Sequence, residues 1–150
     1  MKFFFRDATL KDEKLLFDWR NDFEVKKWSF ENATIIYSEH QKYLKEKISD
    51  KNFKIWIFMF NDNPCGLVRL SIKDDKVIIS YLISKNYRRR KLSSIMLKLA
   101  INKICSEYPK IIIFAYTKIE NESSIKSLLR AGFIANGTEE NKKIYMHKCV

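Results

Sequence analysis

The chain has 150 residues, 46% hydrophobic and 14% aromatic, and its 29 Lys and Arg against 18 Asp and Glu give a net charge of +11. Length and apolar content predict one folded domain over 1–150 and exclude a disordered or low-complexity chain. No run approaches the ~20 apolar residues of a membrane span, and Arg6 and Asp7 interrupt any secretory leader, so a cytoplasmic protein with no membrane partner is expected.

In chain order, "KFFFRDAT" predicts a short strand, and residues 11–23 place Leu15, Leu16, Trp19 and Phe23 at helical spacing. Ser38 with Gln41 predicts a capping box that opens a helix with a His40, Leu44, Ile48 stripe. "FKIWIFMF" (53–60), "LVRLSI" and "VIISYLI" (77–83) read as strands joined by the turns "NDNPCG" and "KDDK". A long helix is expected from about Arg89, with Leu92, Ile95, Met96, Leu99, Ala100 and Ile104 inward, ending before Pro109. "IIIFAYT" (111–117) reads as a fully buried strand. A helix near Asn121 carries Ile125, Leu128 and Leu129 and stops at Gly132. Two strands flanking "NGTEEN" close the chain. The order predicts an α/β fold, with a mixed, mostly antiparallel sheet flanked by helices.

Cys65, Cys105 and Cys149 are odd in number and scattered, which argues against a disulfide framework or a zinc site. Cys65 and Cys105 read as buried thiols, and no metal is expected. The charge concentrates in "NYRRRKLSS", residues 86–94, at a strand-to-helix junction. A helix start offers unpaired N–H groups and the positive end of a dipole. With Arg88, Arg89, Arg90 and Lys91 beside it, the site suits a ligand bearing more than one phosphate. No helix-turn-helix and no aromatic stacking strand accompany the run, so nucleic acid is not the expected partner.

"SYLISKNYRRRKLSSIMLKLAI" resembles the acetyl-CoA-binding segment of the GNAT acyltransferase superfamily, a tyrosine-led strand followed by a Gly-rich helix start. "IENESSIKSLLRAGF" resembles that superfamily's Asn-x-x-Ser/Ala helix ending in Gly-Phe, through Asn121, Ser124, Gly132 and Phe133. The resemblance implies acetyl-CoA as co-substrate, bound by Arg88 to Lys91, Leu92, Ser93, Ser94, Asn121 and Ser124. It also implies that the main chain at Leu82 and Ile83 polarises the thioester carbonyl. Two departures stand out. Arg89 and Lys91 occupy positions where the family has glycine, and Leu128 stands where many members place a tyrosine acid. Tyr116, Tyr81 or a water held by Asn121 and Ser124 are substitutes for that acid, and Glu120 is the expected base acting through water.

The N-terminal half is similar to the GNAT branch that acetylates amino groups on nucleotide-activated sugars, of the pseudaminic acid pathway type. Trp19, Arg20, Asn21, His40 and the stretch from Gly66 to Arg69 carry that similarity. It implies a small-molecule amine as acceptor, with these residues as its contacts. Read as residues alone, Trp19 suits stacking or core packing, and His40 suits a buried position or a substrate contact. Arg69 needs a ligand anion or a carboxylate such as Asp18 or Asp22. A protein N-terminal acetyltransferase, as for ribosomal proteins, and a non-catalytic basic module are the alternatives.

Overall fold

The computed structural model describes residues 2–31 and 33–149. It contains β1 (Phe3–Asp7), α1 (Glu13–Arg20), α2 (Phe23–Trp28), α3 (Tyr37–Ser49), β2 (Phe53–Phe60), β3 (Asn63–Lys73), β4 (Lys76–Ile83), α4 (Leu92–Glu107), β5 (Ile112–Lys118), α5 (Glu122–Ala131), β6 (Ile134–Glu139) and β7 (Lys142–Lys148). The strands form one sheet in the order β1-β2-β3-β4-β5-β7-β6. Every neighbouring pair is antiparallel except β4 with β5. This is the expected mixed, mostly antiparallel α/β architecture.

Strand alternation divides the core between the two faces of the sheet. On one face Val77, Ile79 and Ile113 pack against Met96, Leu97, Ala100 and Ile104 of α4 and Leu128 of α5. On the other, Ile55, Ile57, Leu67 and Leu82 meet Leu16 and Trp19 of α1 and Leu44 of α3. The segment 112–118 is therefore not buried on both sides. Ile113, Ala115 and Thr117 are buried, while Ile112, Phe114 and Tyr116 are only partly covered. The residue classes were right for a strand, but the helices α1 and α3 cover β2 and β3 rather than β5.

Other local expectations change for identifiable reasons. The helix through residue 23 breaks at Asn21, because the Asp22 side chain accepts from the Glu24 and Val25 amides and starts α2. Phe23 is left 79% exposed. Ser38 and Gln41 form no capping box. α3 begins at Tyr37 with no side-chain cap, and Gln41 donates instead to Glu13 Oε1 at 3.0 Å. α4 begins at Leu92 rather than Arg89, and Ile95 and Leu129 face outward. Cys105 is not a free thiol: it is joined to Cys149 by a disulfide, with Cα atoms 5.2 Å apart. The third cysteine, Cys65, is the free one. Burial pushes its thiol up to about 11, so it is an inert core group.

A capping box does occur, earlier, at Thr9 and Asp12. Asp12 also pairs with Arg6 through bonds of 2.8 and 2.9 Å. Burial alone raises the Asp12 pKa, but Arg6 and the Thr9 amide outweigh it and hold the carboxyl below its usual value. A carboxyl lowered on folding contributes stability above its unfolded pKa, and that contribution fades as pH falls through the folded value. Asp12→Asn is therefore expected to cost about 1 kcal/mol at neutral pH. The gap from wild type should close below about pH 4 in thermal melts taken across a pH series.

Candidate active site

β4 and β5 pair only from Lys76–Ile112 to Ile79–Ala115. Beyond that point β4 stays with β3 as far as Ile83–Gly66, and β5 stays with β7 as far as Lys118–Lys142. The two parallel strands therefore part into a wedge, and the β5-facing main chain of Ser80–Ile83 has no strand partner. A cavity of about 680 Å³ runs along this wedge and reaches the start of α4.

The loop before α4 shows how arginine and lysine replace glycine. Arg89 has φ +63° and Lys91 has φ +60°, both left-handed. Such a residue costs about 1–2 kcal/mol more than glycine there. The loop thus keeps the shape that glycine would give it, while carrying two cations at the cavity wall. No side chain caps the first turn of α4, so the amides of Leu92, Ser93 and Ser94 keep the free donors of a helix start. Ser94 Oγ donates to the Lys91 carbonyl at 3.2 Å. Ser127 Oγ donates to the Ser123 carbonyl, so Ser93 donates to Ser127 Oγ at 2.6 Å and ties α4 to α5.

Lys126 and Arg130 add two cavity-facing cations that the sequence reading missed. Their i, i+4 spacing, on the face shared with Ser123 and Ser127, was the available signal. Arg88 lines the same cavity, whereas Arg90 does not, and both have partners within the chain. Arg88 donates to Asp22 at 2.6 Å and to the Ile83 carbonyl at 3.0 Å, and lies 3.6 Å from Glu24. It braces the start of α2 against the end of β4. Burial pushes Asp22 up, but Arg88 and the Val25 and Glu24 amides prevail and lower its pKa. Arg90 lies over the Tyr87 ring, 5.4 Å from its centre, outside the cavity wall.

The expected acceptor residues are mostly held in the α1–α3 layer. Trp19 is buried in the core and lines a smaller neighbouring cavity of about 330 Å³. Arg20 donates to His40 Nδ1 at 3.0 Å, and His40 Nε2–H donates to the Glu13 carbonyl at 2.9 Å. Both ring nitrogens are thereby used, and burial together with Arg20 pushes the His40 pKa down, so the ring stays neutral. Arg20 also stacks 4.2 Å from the centre of Tyr43. Asn21 exchanges two hydrogen bonds with Ile35, fixing the segment after α2. Arg69 alone of this set lines the wedge. Neither proposed carboxylate answers it: Asp18 pairs with Lys14 and Asp22 with Arg88, while Arg69 Nε donates to Ser80 Oγ at 3.2 Å.

Among the chemical candidates, Tyr116 lines the wedge and Glu120 does not. Glu120 is exposed in the turn after β5. Asn121 Oδ1 accepts from the Ser124 amide at 3.2 Å as the cap of α5. The Ser124 hydroxyl bonds the Tyr81 hydroxyl across the wedge. Burial pushes the Tyr81 phenol up to about 12, against the opposing pull of Ser124. Thr117 Oγ1 is the buried side-chain oxygen with no partner among the described residues. Leu128 is fully buried, so the usual tyrosine position belongs to the core.

The family model for the acetyltransferase (GNAT) domain matches residues 2–134. The chain belongs to the GNAT acetyltransferase family. Among curated proteins, none matches this GNAT domain significantly in sequence. Solved structures share its fold. The spermidine N-acetyltransferase of Vibrio cholerae, in complex with CoA and spermine, has a TM-score of 0.86 at 13% identity, covering 97% of this chain and 95% of that one. RimL, a ribosomal L7/L12 alpha-N-protein acetyltransferase in complex with CoA, has 0.86 at 11% identity over 99% and 95%. Aminoglycoside acetyltransferase AAC(6')-Ib in complex with coenzyme A has 0.84 at 16% identity over 98% and 95%.

Proposed function

We propose that this GNAT domain moves an acetyl group from acetyl-CoA to a primary amine on an anionic small molecule, with an amino-sugar nucleotide as the acceptor of choice. The observation that carries this reading is Arg69, a wedge cation away from the start of α4, in a lining whose one described carboxylate, Glu24, is already beside Arg88. A polyamine or a cationic peptide terminus would meet no free carboxylate there.

The residues present fit acetyl-CoA. Its diphosphate suits the free amides at the start of α4 together with Arg89, Lys91, Lys126 and Arg130. Its polar arm suits the edge of Ser80–Ile83, which has no strand partner among the described residues on the β5 side, and the Thr117 hydroxyl. When bound, acetyl-CoA supplies a thioester for the amine to attack. The chain contributes main-chain donors near Leu82 and Ile83 for the charge that develops on the carbonyl oxygen. Arg69 supplies a partly buried cation for the phosphates of the acceptor.

Uridine diphosphate is expected to compete with the acceptor amine rather than with acetyl-CoA. Arg69→Ala should weaken that inhibition about tenfold, roughly 1.4 kcal/mol. Efficient acetylation of a ribosomal-type peptide, indifferent to uridine diphosphate, would overturn the acceptor class and leave the acetyltransferase assignment intact.

A further inference from the structure

Acetyl transfer leaves negative charge on sulfur, and the position where many GNAT enzymes keep a tyrosine is here Leu128, sealed in the core. The wedge offers three other phenols: Tyr81, Tyr87 and Tyr116. Tyr87 sits at the base of the loop beneath Arg90. Tyr116 alternates with Ala115 and Thr117 and so points to the opposite face of β5. Tyr81 shares the face of Val77 and Ile79, against α4 and α5, and its hydroxyl reaches the first turn of α5.

We propose that Tyr81, oriented by Ser124, is the catalytic residue that donates a hydrogen bond to the departing sulfur. Ser124 is within bonding distance through its hydroxyl, and its carbonyl lies 3.4 Å from the Tyr81 oxygen. When the Ser124 hydroxyl donates to the phenol oxygen, the phenolic hydrogen can leave its long bond to the Ser124 carbonyl and turn into the wedge. A second observation marks the same place for a polar ligand. Thr117, on the same face of the sheet and across the wedge on β5, is only 4% exposed, yet its Oγ1 has no partner among the described residues. A buried hydroxyl left unpaired is costly, and ligand sites are where such groups collect.

The chemistry balances without proton loss from the tyrosine. The new nitrogen–carbon bond forms, the carbon–sulfur bond breaks, and its electron pair stays on sulfur. The surplus proton of the amine leaves to solvent, and Tyr81 keeps its own proton throughout. A phenol pushed up to about 12 stands far above the ~8.5 of an ordinary thiol, so donating a hydrogen bond suits it better than surrendering a proton.

This assignment rests on CoA occupying the wedge, and the test separates the two. CoA is bound to the full chain, binding is followed by calorimetry, and its thiol is titrated through thiolate absorbance. In wild type the bound thiol should titrate about one pH unit below its value in Tyr81→Phe, with Ser124→Ala between them. The Tyr81→Phe kcat should fall about 100-fold while the acetyl-CoA KM stays within about threefold. An unchanged thiol titration, or a KM rising in step with the lost kcat, would overturn the proposal with CoA binding intact. Should Tyr81→Phe fail to fold, the Ser124→Ala titration decides: a shift toward free CoA supports the role and no shift overturns it. Failure of CoA to bind wild type would overturn the wedge reading and this assignment together.

Discussion

Replacing Arg89 and Lys91 together by Ala should lower acetyl-CoA affinity about 30-fold, roughly 2 kcal/mol, in calorimetry at low salt. Both line the wedge beside the uncapped first turn of α4, where a diphosphate would gather charge-assisted bonds. The affinity that remains should also be less sensitive to salt, since two of the screened partners are gone. A glycine pair at the same positions separates charge from backbone shape. It relaxes the two left-handed residues, so the protein should gain stability while affinity falls as in the alanine pair. Wild-type affinity in both double variants would mean that the backbone amides, with Lys126 and Arg130, hold the phosphates without this pair. Arg88 behaves differently in this scheme. Its loss strands Asp22 and removes the bond to the Ile83 carbonyl, so Arg88→Ala is a stability change before it is a binding change.

Gly66→Ala is expected to destabilise the protein by about 3 kcal/mol. A Cβ there would lie 2.6 Å from the Leu82 carbonyl oxygen, 3.1 Å from Ile83 Cδ1 and 3.3 Å from Met96 Sδ. A sulfur at the end of a methionine can move; a carbonyl in the middle of a paired strand cannot without carrying β4 along. Gly66 pairs with Ile83 at the rim of the wedge, so any separation of β3 from β4 shifts the main chain that faces the thioester. Chemical denaturation should show the lost stability. Assays on the folded fraction should show a kcat deficit that added acetyl-CoA does not restore. Full stability in the variant would mean that the two strands are less tightly held than their register implies.

Strand alternation and helix stripes carried most of the fold in the sequence, because both arise from neighbours along the chain. What escaped depends on partners distant in sequence. Nothing near His40 shows that Arg20 and the Glu13 carbonyl will occupy both its nitrogens. Nothing in the spacing of three cysteines shows that the last turns of α4 pass beside the end of the chain. The cation run announced an anion site, and three of its members line the wedge, but one of these, Arg88, is also a brace to Asp22, while the fourth, Arg90, stacks on a ring. That division follows from left-handed backbone at Arg89 and Lys91, a conformation that sequence associates with glycine. Arg69 stood out in the sequence because a mid-strand arginine needs a reason, and it lines the wedge. Trp19, Arg20 and Asn21 have theirs in packing and in anchoring the segment after α2.

The bond between Cys105 and Cys149 spans a sequence separation of 44 and encloses β5, α5, β6 and β7. When closed, it turns that third of the chain into a covalent ring, a constraint of about 4 kcal/mol on the unfolded chain in loop-entropy terms. A peptide bond cut in the β6–β7 turn would then leave both pieces attached, and β7 has no loose end from which to peel. One wall of the wedge, β5 with α5, belongs to this ring; the opposite wall, β4, belongs to the open chain before it. The two sides of the same cleft therefore differ in topology, and a proteolytic nick or a lost terminus would be felt first on the side of β4.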